Sequence, residues 1–146
     1  MALAELLSIY EGQFSNNGSF RLARGEDLRA CIANNGVPEL PAAYLIYGVE
    51  RRRRELLYIG KSGTLKTDGS FKNQGLATRL RMKQGKRWRA EFYQDEMEQR
   101  QLDALYFRWF VTFGGQIRIL PLKAEADLIQ AYFDDHGRLP PWNLAA

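Results

Sequence analysis

The residue types that most often build metal clusters and nucleophilic sites are scarce in this chain. It has one cysteine, Cys31, and one histidine, His136. A lone cysteine cannot form an intramolecular disulfide, and the sequence suggests no zinc cluster, Cys/His pair or Ser/His/Asp set. We therefore interpret Cys31 as a buried helix residue and His136 as a favourable charge or cap at a helix end.

Long apolar runs are also missing. No stretch is long enough to span a bilayer, and the N-terminal segment carries Glu5 but not the basic leader of a signal peptide. Together with the single cysteine, these absences predict a cytoplasmic protein with no membrane partner. The 146 residues, 45% of them hydrophobic, suffice for one domain with a real core and are too few for two ordinary domains.

Positive charge is present but confined to one part of the chain. Residues 50–89 hold thirteen Lys or Arg against three Asp or Glu, whereas the rest of the chain holds eight against fourteen. The net charges of the two parts are therefore +10 and −6. A cationic block of this density favours a polyanionic partner, whose condensed counterions are released on binding. A solvated basic surface is the alternative that charge alone leaves open.

Periodicity and breaker residues predict an α+β fold. Helical spacing of apolar residues, with Gly and Pro as stop signals, predicts helices over residues 2–10, 25–35, 76–84, 87–101 and 122–136. Runs rich in Tyr, Leu and Ile predict a hairpin with strands 42–49 and 55–60, joined by a charged turn over 51–54. A run with apolar residues on both faces predicts a central strand over 105–113. The polar stretches are interpreted as a breaker over 15–19 and a loop over 61–75.

Glu125 lies at the edge of the inward face of the helix predicted over residues 122–136. It comes three residues after Leu122 and four before Ile129. A carboxylate that faces a core costs free energy unless something compensates it, and a bound hard cation is one such compensation. The alternatives are an ion pair with an arginine, or an exposed glutamate on a slightly rotated helix.

Arg79 raises the same question on the helix predicted over residues 76–84. It shares one stripe, at positions i, i+3, i+4 and i+7, with Leu76, Leu80 and Lys83. A guanidinium held rigidly at the rim of a core can present its planar fork to a phosphate. The alternative is a long side chain that runs along apolar surface to reach water.

A polar loop follows the strand that ends in Tyr58-Ile59-Gly60, and it begins with Lys61-Ser62. Gly-Lys-Ser matches the end of a nucleotide-binding phosphate loop. That loop needs a glycine five residues before the Gly-Lys pair, and Glu55 occupies the position instead. A nucleotide triphosphatase is therefore not expected.

Two tyrosine motifs precede Arg79 and Glu125 in the chain. Pro41-Ala42-Ala43-Tyr44 is similar to the first motif of the GIY-YIG nuclease family, with two alanines in place of glycine and isoleucine, and Tyr58-Ile59-Gly60 matches the second. The chain thus resembles this family over residues 41–146. Its functional positions match, in order, Tyr44, Tyr58, Lys61, Arg79, Glu125 and Asn143.

This resemblance implies a GIY-YIG-like domain over residues 41–146, with a small antiparallel or mixed three-stranded sheet flanked by helices, after an N-terminal helical extension over residues 1–40. It implies an endonuclease that hydrolyses DNA phosphodiester bonds at a single Mg²⁺, for which Mn²⁺ would substitute. Glu125 would bind the metal, and Arg79 would offset charge that develops on the phosphate.

Proton transfer is the step on which the resemblance is least complete. A tyrosine, Tyr58 or Tyr44, would accept the proton of water, with Lys61 lowering its pKa. Lys83 occupies a position that is often His or Tyr in the family. The alternative function is a catalytically inactive nucleic-acid-binding or scaffolding module on the same fold.

Further basic residues are expected to contact phosphates and to position the backbone without reading its sequence. They are Arg51, Arg52, Arg53, Arg54, Lys83, Lys86, Arg87 and Arg89. Trp88, which lies among them, would either stack on a base or pack against the protein. The expected partner is DNA, duplex or branched, with RNA as the alternative, and a homodimer or a protein partner would supply specificity.

Overall fold

A computed structural model describes residues 1–72 and 75–146 as an antiparallel β-sheet with helices on both faces. Its helices are α1 (Leu3–Gln13), α2 (Leu28–Asn34), α3 (Leu76–Arg81), α4 (Arg89–Gln99) and α5 (Pro121–His136). Its strands are β1 (Asn17–Ala23), β2 (Ala42–Glu50), β3 (Arg53–Ser62), β4 (Thr64–Leu65), β5 (Phe71–Lys72), β6 (Lys83–Gln84), β7 (Arg87–Trp88), β8 (Ala104–Val111), β9 (Phe113–Gly114) and β10 (Ile117–Arg118). The α+β class agrees with the prediction from periodicity.

The main sheet has four strands in the order β1-β8-β2-β3, and each neighbouring pair is antiparallel. The strand predicted over residues 105–113 is β8, which lies between β1 and β2, as its two apolar faces indicate. The remaining strands form short two-stranded pairs. The predicted sheet of three strands was wrong because β1 adds a fourth.

The strand β1 begins where the sequence predicted a breaker. The Asn-Asn-Gly run at residues 16–18 is typical of a turn. Instead, Asn17 pairs with Phe110 of β8, and pairing continues along the whole strand. Gly18 lies against the Trp109 ring, where a Cβ would come 2.5 Å from the ring atom Cζ2. This glycine therefore permits close packing rather than a turn.

Residues 1–40 supply a strand as well as helices, so the prediction of a purely helical extension was wrong. The helix α1 packs on α5, with Tyr10 and Phe14 buried between it and the sheet. The helix α2 begins after Asp27, whose carboxylate accepts hydrogen bonds from the N–H groups of Arg29 and Ala30. This N-cap satisfies donors that a helix start leaves free.

Successive side chains of the sheet enter two separate cores. The core on the α2, α3 and α4 side contains Tyr44 and Ile46, and the core on the α1 and α5 side contains Leu45 and Ile59. Burying an aliphatic side chain of this kind contributes about 1.5–3 kcal/mol. Because β3 is an edge strand of the sheet, the outer side of its backbone is open to pairing with another segment of the chain.

The segment after the hairpin differs most from prediction. The helix α3 ends at Arg81, and Lys83 belongs to β6, so Lys83 does not share a helical stripe with Leu76, Arg79 and Leu80. The loop predicted over residues 61–75 contains β4 paired with β5. Residues 73 and 74 of that loop lie outside the described residues.

The last helix matches its prediction closely. The helix α5 starts with Pro121 at its first turn, and Gly137 ends it with a left-handed φ of 67°. Within residues 1–72 and 75–146, no helix combines the length and the apolar character needed to cross a membrane.

Candidate active site

The β2–β3 hairpin brings Tyr44 and Tyr58 together beside Gly60. Gly60 lies opposite Tyr44, and Tyr58 lies opposite Ile46, so both tyrosines are on one face of the sheet. Their ring centroids are 5.9 Å apart. A Cβ on Gly60 would lie 2.5 Å from Cε2 of Tyr58 and 2.7 Å from the hydroxyl oxygen of Tyr44. Glycine is therefore the residue that lets the two phenol rings converge here.

Tyr44 is almost fully buried, and its hydroxyl has no hydrogen-bond partner among the described residues. Burial, followed by the proximity of Tyr58, raises the pKa of Tyr44 above its ordinary value, whereas the charges of Arg89 and Arg79 lower it. The Nε of Arg79 is also buried and without a hydrogen bond in the described part of the chain. Two polar groups next to each other are thus left without partners, which is unusual for a folded interior.

Arg79 is positioned by a short helix that is anchored from outside. Glu39 accepts a hydrogen bond from the Thr78 N–H at 2.7 Å and another from the Thr78 hydroxyl. The carbonyl of Pro38 accepts the Ala77 N–H at 3.3 Å. These bonds satisfy donors of the first turn, where a carboxylate also interacts favourably with the helix dipole.

Glu125 approaches from α5 and is half-buried, between the buried Ala124 and Leu128. Burial raises the pKa of Glu125, and the charges of Lys61 and Arg79 lower it. No ion pair within 4.0 Å joins Glu125 to any residue in the described ranges. This placement agrees with the expected edge of the inward face, although Leu122, which served to define that face, is 58% exposed.

Lys61 lies near Glu125 and is held by the loop that follows β3. Its Nζ donates to the carbonyl of Gly63 at 3.1 Å and to the hydroxyl of Thr64 at 3.3 Å. Both acceptors are neutral, so neither of them offsets the charge of the ammonium group. Both Lys61 and Arg79 are therefore within electrostatic range of Glu125.

Asn143 contacts the backbone of the site rather than another functional side chain. Its Nδ2 donates to the Ile59 carbonyl and its Oδ1 accepts the Ile59 N–H, each at 2.9 Å. The neighbouring Trp142 N–H donates to the Leu57 carbonyl at 2.8 Å. The C-terminal segment thus pairs with the open edge of β3, on both sides of Tyr58.

The basic residues predicted to contact phosphates do not share one environment. Arg51 and Arg52 form the hairpin turn, while Arg53 and Arg54 belong to β3, and all four are exposed. Lys83, Lys86 and Arg87 are exposed as well, with Arg87 paired to Asp95. The Nζ of Lys83 lies 5.0 Å from the centroid of the half-exposed Trp88 ring.

Arg89 differs from these residues because only 5% of it is exposed. Its Nη1 donates to the carbonyl of Met82 at 3.2 Å and, weakly, to that of Lys83 at 3.5 Å. Arg89 therefore does not lie on the surface with the other predicted phosphate contacts, because the first turn of α4 turns this side chain into the protein.

Sequence reasoning also missed a cavity beside Tyr58. Its volume is about 440 Å³, and it is lined by residues that include Tyr58, Arg89, Phe92, Tyr93, Glu96 and Trp142. Arg89, Phe92 and Tyr93 stand at positions i, i+3 and i+4 of one helix, so they share a face. That spacing was visible in the sequence and could have indicated the cavity wall.

The described side chains could supply only part of the coordination shell of a divalent cation. Within the described ranges, no three His, Cys, Asp or Glu side chains converge on one point. Glu125 offers one carboxylate, and the charges of Lys61 and Arg79 reach it. Mg²⁺ fits this donor set, since it keeps several waters and accepts one or two carboxylates together with substrate phosphates.

Comparison with protein-family models, with curated proteins and with solved structures finds no match for this chain.

Proposed function

We propose that this chain is a metal-dependent endonuclease of the GIY-YIG type that hydrolyses phosphodiester bonds of DNA. The convergence at Gly60 carries the proposal: two tyrosine rings meet there on one face of β2 and β3. Lys61 follows on β3, Arg79 and Glu125 come from α3 and α5, and the charges of Lys61 and Arg79 both lower the pKa of Glu125. Packing of a hydrophobic core does not require two tyrosines, two cations and a carboxylate at one place, whereas hydrolysis of a phosphodiester requires groups of these kinds.

Arg79 and Lys61 supply the positive charge that the transition state needs. Arg79 is held by a short helix with an external cap, so its guanidinium need not be ordered at the moment of reaction. The Arg79 side chain is partly exposed, so its guanidinium can donate to a phosphate oxygen. Lys61 adds a second cation near Glu125.

Tyr58 is the better candidate for the group that accepts a proton from water. It is partly exposed and lines the cavity, so water and substrate can reach it. Tyr44 is buried, and burial raises its pKa, so it is a poor base at neutral pH. We assign to Tyr44 the role of supporting the Tyr58 ring and lying beside the guanidinium of Arg79.

Glu125 would hold the divalent cation. Its raised pKa reflects the cost of burying a carboxylate, and a bound cation would remove that cost. When bound, Mg²⁺ or Mn²⁺ would offset negative charge on the scissile phosphate and the leaving group. Asn143 positions the edge of β3 through its two bonds to Ile59.

DNA would reach this site along the exposed cationic surface of residues 50–89, including the hairpin turn at Arg51 and Arg52. These contacts would favour a polyanion without selecting a sequence. One site per chain cuts one strand at a time, so double-strand cleavage would need a homodimer or a partner protein.

The decisive experiment compares plasmid cleavage by the wild-type protein, by Glu125→Gln and by Asp127→Asn, with DNA binding of all three proteins measured in parallel. Asp127 lies on the same helix and pairs with Lys123 on the surface, so it is a matched control. We expect cleavage in Mg²⁺ or Mn²⁺ by the wild type and by Asp127→Asn only, with binding retained throughout. Binding without cleavage by the wild type, across both metals and on branched as well as duplex substrates, would favour the catalytically inactive module.

A further inference from the structure

The cavity beside Tyr58 has the composition of a nucleotide site. Phe92 and Trp142 form an edge-to-face pair with ring centroids 4.9 Å apart, and the Trp142 ring lies nearly parallel to that of Tyr93. These rings give the cavity an aromatic wall. Aromatic walls of this kind bind bases by stacking, which contributes about 1–3 kcal/mol per base.

A buried positive charge lies in the same cavity. Arg89 lines the cavity, and only 5% of its surface is exposed. Among the described residues, no carboxylate lies within 4.0 Å of its guanidinium. Its Nη1 is used by two neutral carbonyl groups, which do not neutralise the charge. Burying an arginine without a counter-ion is costly. An anionic ligand would remove that cost.

The carboxylate of Glu96 adds an acceptor to the cavity lining. Its Oε1 accepts hydrogen bonds from Nε1 of Trp142 at 2.7 Å and from Nε of Arg100 at 3.2 Å. These bonds fix the carboxylate and the aromatic wall relative to each other. The remaining oxygen can accept a hydrogen bond from the amino group of a base.

We propose that this cavity binds a single nucleotide, with its phosphate on Arg89 and its base against the wall formed by Phe92, Tyr93 and Trp142. The volume of about 440 Å³ falls in the range of small-ligand sites, about 300–1,000 Å³. The nucleotide has two sources: one turned out of the DNA strand next to the cleavage site, or a free mononucleotide. In its first form the proposal rests on the nuclease function, because Tyr58 lines both sites.

The test begins with calorimetry on the full chain, which measures binding of the four deoxynucleoside 5′-monophosphates in the absence of metal. The wild type should bind at least one of them, and the matching nucleoside, which lacks the phosphate, should bind at least about tenfold more weakly. Arg89→Met should bind the nucleotide as weakly as the wild type binds the nucleoside. Arg89→Met should bind the nucleotide and the nucleoside with nearly equal affinity, because the phosphate adds affinity through the guanidinium that this variant lacks.

Arg138→Met is the matched control, since it removes one positive charge from an exposed position outside both the cavity lining and the cationic block of residues 50–89. It should change nucleotide affinity less than about twofold. Phe92→Leu is a second cavity variant that keeps the charge, and it should weaken nucleotide and nucleoside alike. Thermal unfolding of each variant shows whether it is folded. No binding by wild type, or equal losses in Arg89→Met and Arg138→Met, would overturn the proposal.

The two sources are separated with oligonucleotides that carry 2-aminopurine, whose fluorescence rises when the base leaves the stack. If the nucleotide comes from the strand, fluorescence should rise at one position in wild type and in Glu125→Gln, but not in Arg89→Met. If only the free nucleotide binds, fluorescence stays low while calorimetry is positive. Because the experiment with Glu125→Gln measures binding and not cleavage, the nucleotide site can be confirmed even if the protein does not cleave DNA. Equally, cleavage can be found even if the cavity binds no nucleotide.

Discussion

The side chain of Asn143 closes two hydrogen bonds with the backbone of Ile59, one as donor and one as acceptor, each at 2.9 Å. Ile59 follows Tyr58 on the open edge of β3, so Asn143 takes the place that a neighbouring strand would otherwise fill. An asparagine at this point of the chain therefore fixes the strand that carries Tyr58.

Replacing Asn143 by leucine should destabilise the protein, because both bonds are lost and the Ile59 backbone groups are left without partners. We expect the free energy of unfolding to fall by about 1–3 kcal/mol, measured by urea titration. Leu144→Ala, at a residue that is 95% exposed, is the control and should have little effect. A leucine variant as stable as wild type would show that the bonds do not hold β3.

Gly60→Ala should disrupt the site, since a Cβ would lie within 2.7 Å of both tyrosine rings. Overpacking of this kind costs about 1–3 kcal/mol, and cleavage should fall because Tyr58 is displaced. Gly12→Ala is the control: it lies in α1 with nothing within 4 Å of its added Cβ, and it should stabilise the protein by about 1 kcal/mol. An alanine at position 60 without loss of stability or cleavage would contradict the packing role of this glycine.

The two tyrosines should respond differently to loss of their hydroxyl groups. Tyr58→Phe should lower the cleavage rate by about 10²-fold or more if Tyr58 accepts the proton. Tyr44→Phe should retain most of the rate and should not reduce stability, because the hydroxyl it removes is buried without a partner. Single-turnover cleavage and thermal unfolding measure the two effects. Loss of rate in Tyr44→Phe alone would assign the base to Tyr44 instead.

Several elements of this fold followed from periodicity because their signals are local. The spacing in α5 and the two apolar faces of β8 identify both elements with no knowledge of their partners. The strand β1 could not be predicted in this way. Its Asn17-Gly18 start is typical of a turn, and only pairing with β8 and contact with Trp109 make it a strand.

The candidate site divides in the same manner. Tyr58 and Glu125 could be selected from motif and helix position, but the burial of Arg89 could not, because its spacing with Phe92 and Tyr93 marks a shared helix face without showing what covers it. The sequence suited a helix from residue 87, whereas the short β6–β7 pair delays its start to Arg89.

Glu125 should make stability depend on pH in a direction opposite to that of a salt-bridged carboxylate. Burial raises its pKa above 4.5, so the folded state favours the protonated form. The contribution of Glu125 to stability is then fully present below pH 4.5 and is lost as pH rises through the folded pKa. Glu125→Gln should therefore be more stable than wild type at pH 7, and the difference should shrink as pH falls.

Thermal unfolding between pH 4 and pH 7 measures this difference, with Asp127→Asn as the control. Adding Mg²⁺ at pH 7 should raise the unfolding temperature of wild type and of Asp127→Asn but not of Glu125→Gln, because only a protein that binds the ion is stabilised by it. A Gln variant that is less stable than wild type at neutral pH would contradict the cost assigned to the buried carboxylate.

Salt dependence should separate the cationic surface from the site itself. Arg52 and Lys86 are exposed within the cationic block, whereas Arg138 is exposed outside it. If the block contacts phosphates, Arg52→Gln or Lys86→Gln should each reduce the slope of log K against log salt by about 0.9, the value for one phosphate contact on duplex DNA. Arg138→Gln should leave the slope unchanged, and fluorescence anisotropy over a series of salt concentrations measures all three. If every variant had the same slope as wild type, the DNA would bind another surface, because a variant that lacks one phosphate contact must release fewer counterions when it binds.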